Sequence, residues 1–177
     1  MPKKLSRKQF SSLVEQAEYD REKGEIQIAG TDWILMGAAT FRNLVKGTER
    51  LLGSGAVVIW LEAGKYAGKA FAEVLLREKK DPEKVSELLE SFFTQGGWGN
   101  IQANVDFAKK EALVTVRNSA TARQIHSNDS ACYFVRGFIA GACDALFNDL
   151  TECFETKCSA KGDALCEFQV KRKSQHR

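Results

Sequence analysis

Only two prolines and two histidines occur among the 177 residues, and no Pro-, Gly- or Ser-rich tract marks a linker. No apolar run reaches the ~20 residues of a membrane-spanning helix, and the first residues lack the apolar stretch of a secretion signal, so a cytoplasmic location is expected, with no membrane partner. Charge of one sign is lacking too. Twenty-six Lys and Arg against 23 Asp and Glu leave a net +3, which gives no footprint for nucleic acid. No G-x-G-x-x-G follows an expected strand, and Gly96-Gly97-Trp98-Gly99 has neither the lysine nor the spacing of a phosphate loop. Of the histidines, His126 sits in a polar stretch and His176 in the basic tail, and neither accompanies a nucleophile elbow. What is present is a 44% hydrophobic content, enough for one core, so a single domain over residues 1–177 is expected.

Five cysteines carry the most chemistry. Cys132 opens an apolar helix, and Glu155, Cys158 and Cys166 lie in the run E-T-K-C-S-A-K-G-D-A-L-C-E-F, where Lys161-Gly162-Asp163 signals a turn between the two thiols. Three thiolates and one carboxylate suit the tetrahedral shell of zinc, a borderline-soft ion that accepts sulfur and oxygen alike. Spacing alone also admits a disulfide across the hairpin, or half-buried thiols without a role. An odd count in a reducing compartment fits a closed disulfide framework poorly. Cys143 reads as a small core hydrophobe. Cys153, two residues before Glu155 on the same strand face, is an alternative fourth ligand that would make the shell all-thiolate.

The periodicity predicts a helix from Ser6 through Phe10, Leu13, Val14 and Ala17, ended by Gly24. Short strands are expected at Glu25–Ala29 and Trp33–Met36, then a helix through Phe41, Leu44, Val45 and Leu51-Leu52, stopped by Gly53. The apolar, β-branched run Ala56–Leu61, flanked by glycines, reads as a central strand. Helices follow at about 65–79 and at 81–93, the latter announced by Asp81-Pro82-Glu83. Alternation predicts a hairpin over Ile101–Phe107 and Ala112–Val116, an apolar helix over Tyr133–Phe147, and a last hairpin over about 151–170. Gly137 and Gly141 make that helix narrow enough for another backbone to approach, which suggests tight packing on a sheet. This succession argues for an α+β fold with a mainly antiparallel sheet.

The segments C-Y-F-V-R-G-F-I-A-G-A-C-D-A-L and E-C-F-E-T-K-C-S-A-K-G-D-A-L-C-E-F resemble the 4-vinyl reductase domain family, with weaker signatures at Glu62-Ala63-Gly64-Lys65 and Gly96–Gly99. The resembling core spans 30–171 and leaves an N-terminal helix, 1–24, outside. The family includes stand-alone proteins and the sensory domains of phenol-responsive activators. Its resemblance implies a ligand-binding fold shared with subunits of the TRAPP vesicle-tethering complexes, and a structural zinc held by Cys132, Glu155, Cys158 and Cys166. In the sensors it also implies pocket residues at the positions of Arg136 and Cys153, where aromatic side chains are usual. An arginine there would favour a carboxylate or phosphate on the ligand.

The leading expectation is a zinc-stabilised module that binds or senses a small hydrophobic or aromatic molecule, in a cavity between the sheet and the Tyr133–Phe147 helix. Arg136, Cys153, Phe134, Phe138 and Phe107 are its expected ligand contacts, although aromatic residues equally build a core. Any output would pass through a separate signalling partner. The rival, a reductase or accessory protein acting on a tetrapyrrole vinyl group, needs a hydride donor for which no binding motif is visible. A third expectation is a homodimeric scaffold, as the similarity to tethering subunits implies.

Overall fold

The computed structural model describes residues 17–28 and 31–174, which divide into two compact units with the boundary after Gly37. In the first unit β1 (Ala17–Asp20) pairs antiparallel with β2 (Glu25–Ile28), and β2 with β3 (Thr31–Asp32). The expected N-terminal helix lies mostly outside the described residues, but its last part, from Ala17 on, is strand. Asp20 makes the reversal: its carboxylate accepts the amides of Glu22 and Lys23, and Gly24 closes the turn at φ +69°. The strand expected at Trp33–Met36 is not formed. The partner of β2 is Thr31–Asp32, inside the stretch read as a turn.

The second unit holds α1 (Ala38–Leu52), α2 (Gly55–Lys79), α3 (Pro82–Gln95), β4 (Asn100–Asp106), β5 (Glu111–Arg117), α4 (Tyr133–Phe147), β6 (Thr151–Lys157) and β7 (Cys166–Arg172). The four strands form an antiparallel sheet in the order β4-β5-β7-β6, so the architecture is α+β. Alternation fixes its core face, where Ala112, Val114 and Val116 of β5 lie beside Cys166, Phe168 and Val170 of β7, all buried. The Asp81 carboxylate caps α3 by accepting the amides of Glu83 and Lys84, with Pro82 in the first turn. From α3, Thr94 and Glu90 accept the amides of Ile101 and Ala103, which satisfies donors of edge strand β4.

The run Ala56–Leu61 is not a strand but the opening of the 25-residue α2. A central strand would be covered on both faces, whereas here Val58 is 63% exposed and Ile59 is half exposed. Nor do Gly137 and Gly141 pack on a sheet. They face α2, whose own Gly64 and Gly68 face them in return. A Cβ at Gly64 or Gly68 would strike the backbone of Phe134 or Phe138, and one at Gly137 or Gly141 the backbone of Leu61 or Lys65. Two G-x-x-x-G faces thus bring α2 and α4 into backbone contact.

Alongside this seam Lys65 of α2 reaches Asp144 of α4, Nζ to Oδ2 3.1 Å, and Asp144 is buried. Its other oxygen accepts the amide (2.6 Å) and hydroxyl (2.8 Å) of Thr151 on β6. One carboxylate therefore ties α2, α4 and the last hairpin together. Asp144→Ala strands an ammonium and two donors, so it should cost about 3 kcal/mol in a denaturant melt. α1 buries no residue. It is held by Phe41, wedged edge-on among Trp60, Trp98 and Phe134, and by the Arg42 guanidinium, which donates to the Ala120 carbonyl.

Candidate metal centre and ligand cavities

Four side chains from distant parts of the chain meet at the end of the sheet nearest the start of α4. Cys132 precedes the first turn of α4, Glu155 comes from β6, Cys158 follows that strand, and Cys166 begins β7. Their ligand atoms all lie within 4.8 Å of one another, and the three thiols are wholly buried. Glu155 is opposite Phe168 and Lys157 opposite Glu167, which leaves Thr156 unpaired as a bulge. Glu155 points to the core face with Phe168, and the bulge bends the strand just before Cys158. The Asp163 carboxylate then accepts the Cys158 amide at 2.8 Å, and Gly162 turns the chain at φ +100°.

The sulfurs are surrounded by donors. Thr121 donates its hydroxyl to Cys132 at 3.2 Å, the Ala131 amide points to Cys158 at 3.5 Å, and the Ser159 amide and hydroxyl approach Cys166 at 3.4 and 3.3 Å. Such donors favour thiolates. Both Glu155 oxygens, in contrast, are buried with no hydrogen-bond partner, a costly state for a carboxylate left alone. Burial first, and then the Cys158 thiol, push its carboxyl up to about 8. Hydrogen bonds to Cys158 and Cys166 and burial hold the Cys132 thiol far above its ordinary range, while the bonds it receives from Cys132 and Cys158 draw Cys166 well below. One thiolate thus stands amid protonated neighbours. A divalent cation that displaced those protons would relieve both the orphaned carboxylate and the crowded sulfurs, so the donor set fits a metal ion.

Cys153 is outside this group. It sits opposite Val170 on the same sheet face, beside Arg136 in a pocket of about 330 Å³ between α2, α4 and β6, and burial raises its thiol. Cys143 is buried in the core, where burial pushes it up to about 12. The remaining expected ligand contacts scatter. Phe138 borders an apolar cavity of about 60 Å³ enclosed by α3, α4, β4 and β5. Phe134 instead stacks on Trp98 at 5.3 Å, and Phe107 packs edge-on against Phe147. Sequence reasoning missed Thr121, Ser119 and Lys65. No spacing rule ties the first two to Cys132, but Lys65 adjoins Gly64, whose match to Gly137 and Gly141 was there to be read.

Residues 113–172 match the family model of the 4-vinyl reductase domain. The chain therefore resembles that family over its C-terminal third, the part that supplies all four clustered ligands. Two uncharacterized proteins of Methanocaldococcus jannaschii are similar in sequence, 29% identical over 90 residues and 34% over 67; the alignments span 51% and 36% of this chain and 48% and 29% of theirs. Among solved structures, the phenol-responsive sensory domain of the transcription activator PoxR, with phenol, matches at TM-score 0.77 and 18% identity, over 93% of this chain and 89% of that one. A trafficking protein particle complex subunit 3 from Naegleria fowleri, covalently bound to palmitic acid, matches at 0.57 and 16%, over 79% and 95%. A vinyl-4-reductase family protein from M. jannaschii matches at 0.52 and 18%, over 82% and 100%. These structures share the fold. Among the described residues no helix is long and apolar enough to cross a membrane.

Proposed function

We propose that the chain is a zinc-clamped module that binds a small apolar or aromatic molecule between its sheet and α4. The observation that carries this reading is the cavity walled by Leu89, Phe93, Val114, Phe138, Ala142 and Leu146, almost wholly apolar and set inside the fold of a sensory domain. At about 60 Å³ it is smaller than the roughly 150 Å³ that admits benzene. A ring-sized ligand therefore enters by moving the Phe93 or Phe138 ring, and the ordering of those rings is the signal a partner protein would read.

Zinc suits the clamp because its shell of three thiolates and one carboxylate is complete without water. A closed shell supplies stability rather than hydrolysis. Cys132, Glu155, Cys158 and Cys166 would hold it, and Thr121 would orient Cys132. Thr121→Val should keep the fold but weaken zinc binding by about 10- to 100-fold in a chelator competition.

Calorimetry of the metal-loaded chain with phenol and with cyclohexanol tests the ligand reading. One site per chain is expected, lost in Ala142→Phe, which fills the cavity. Binding that persists undiminished in a folded Ala142→Phe protein, or no binding by wild type, would contradict it.

A further inference from the structure

Arg136 is the least satisfied cation of the second unit. Its Nε is buried without a hydrogen-bond partner, and its side chain forms no hydrogen bond or ion pair among the described residues. A guanidinium is never neutral in a protein, so a desolvated one persists where an anion comes to meet it. The pocket of about 330 Å³ that it borders has room for that anion.

The charges around it are arranged unequally. Lys65 lines the same pocket, but its ammonium is matched by Asp144 at 3.1 Å, and Asp144 is in turn fixed by Thr151. Lys65 is thus held in place with donors to spare, near-neutral as a pair. At the rim, Glu62 and Glu152 are exposed, as is Lys173, and neither glutamate reaches Arg136 at ion-pair distance. Glu155, which acts on Arg136 through space, belongs to the thiol cluster. Deep in the pocket one positive charge is left over, at Arg136. The walls between the two cations are apolar: Leu61, Ala140, Cys153 and Phe154.

We infer that this pocket is a second binding site, for a monocarboxylate with a compact apolar body. Its two oxygens take the planar fork of Arg136, and a spare N–H of Lys65 supports one of them. The hydrocarbon part lies on Leu61 and Phe154. The site is separate from the apolar cavity, so the two readings stand or fall independently.

The test is calorimetry of the metal-loaded full chain with benzoate, butyrate and inorganic phosphate, with phenol as the probe of the apolar cavity. Benzoate should bind once per chain, at least about tenfold more weakly to Arg136→Gln, and with intermediate affinity to Arg136→Lys, which keeps the charge but not the fork. Phenol binding should be unchanged by Arg136→Gln, and benzoate binding unchanged by Ala142→Phe. In wild-type protein the Arg136 Nε–H resonance should shift on adding benzoate, a readout that survives even if a variant misfolds. No binding of either carboxylate, an unshifted resonance, or equal affinity in Arg136→Gln would overturn the inference. Phosphate binding more tightly than benzoate would overturn the carboxylate assignment.

Discussion

Gly141→Ala should cost about 3 kcal/mol and lower the melting temperature by roughly 6–12 °C, although alanine is the better helix former. The added Cβ would lie 2.8 Å from the Lys69 amide nitrogen and closer still to the Lys65 carbonyl, both of them backbone atoms. No side-chain rotation relieves such a contact, so α2 and α4 must separate, stretching the Lys65–Asp144 pair beside the seam. Gly47 is the internal control. It sits mid-helix in α1 with nothing within 4 Å of an added methyl, and Gly47→Ala should stabilise the protein by about 0.5–1 kcal/mol. Equal shifts of the same sign from the two substitutions would show that the helices do not depend on this contact.

Cys158→Ser should remove metal binding and with it several kcal/mol of stability. Serine offers a hard, protonated oxygen where a borderline-soft ion wants thiolate. When free metal stands a thousandfold above Kd, binding to the native state alone contributes about 4 kcal/mol. The loss should reach the whole second unit, because the centre joins the start of α4 to the β6–β7 hairpin. A chelator should lower the melting curve of wild type toward that of the variant and leave the variant unmoved. Acid acts in the same direction. Glu155, with its carboxyl raised to about 8, and Cys132, raised further, must each give up a proton before the ion can bind at neutral pH. Affinity should therefore fall by about 100-fold per unit as pH drops through 7, two protons being taken up for each ion released.

Much of this was legible in the chain. The Asp81-Pro82 start of α3, the two hairpins of the sheet, and α4 follow from period, capping and turn chemistry, signals that act within a few residues. The four clustered ligands were legible through the short E-x-x-C spacing and the turn between Cys158 and Cys166. α2 was not, because its first turns carry Val57, Val58 and Ile59, which favour strands, and glycines interrupt its length. What overrides those preferences is a helix more than 60 residues away with glycines at the matching interval, a tertiary fit invisible to a local window. Propensity ruled against the helix for the same residues that make its packing possible. Likewise Thr121 and the Ser159 amide acquire meaning only once Cys132 and Cys166 are seen beside them. Phe107 and Phe134, chosen as aromatic, are placed by the fold against other rings.

The central claim, that Cys132, Glu155, Cys158 and Cys166 hold one structural zinc, is tested most directly by native mass spectrometry of the purified chain, with elemental analysis alongside. One zinc per wild-type chain is predicted, absent from Cys158→Ser. A folded wild-type chain that carries no metal and does not take up added zinc, with its three buried thiols titrating as free sulfhydryls after unfolding, would contradict it.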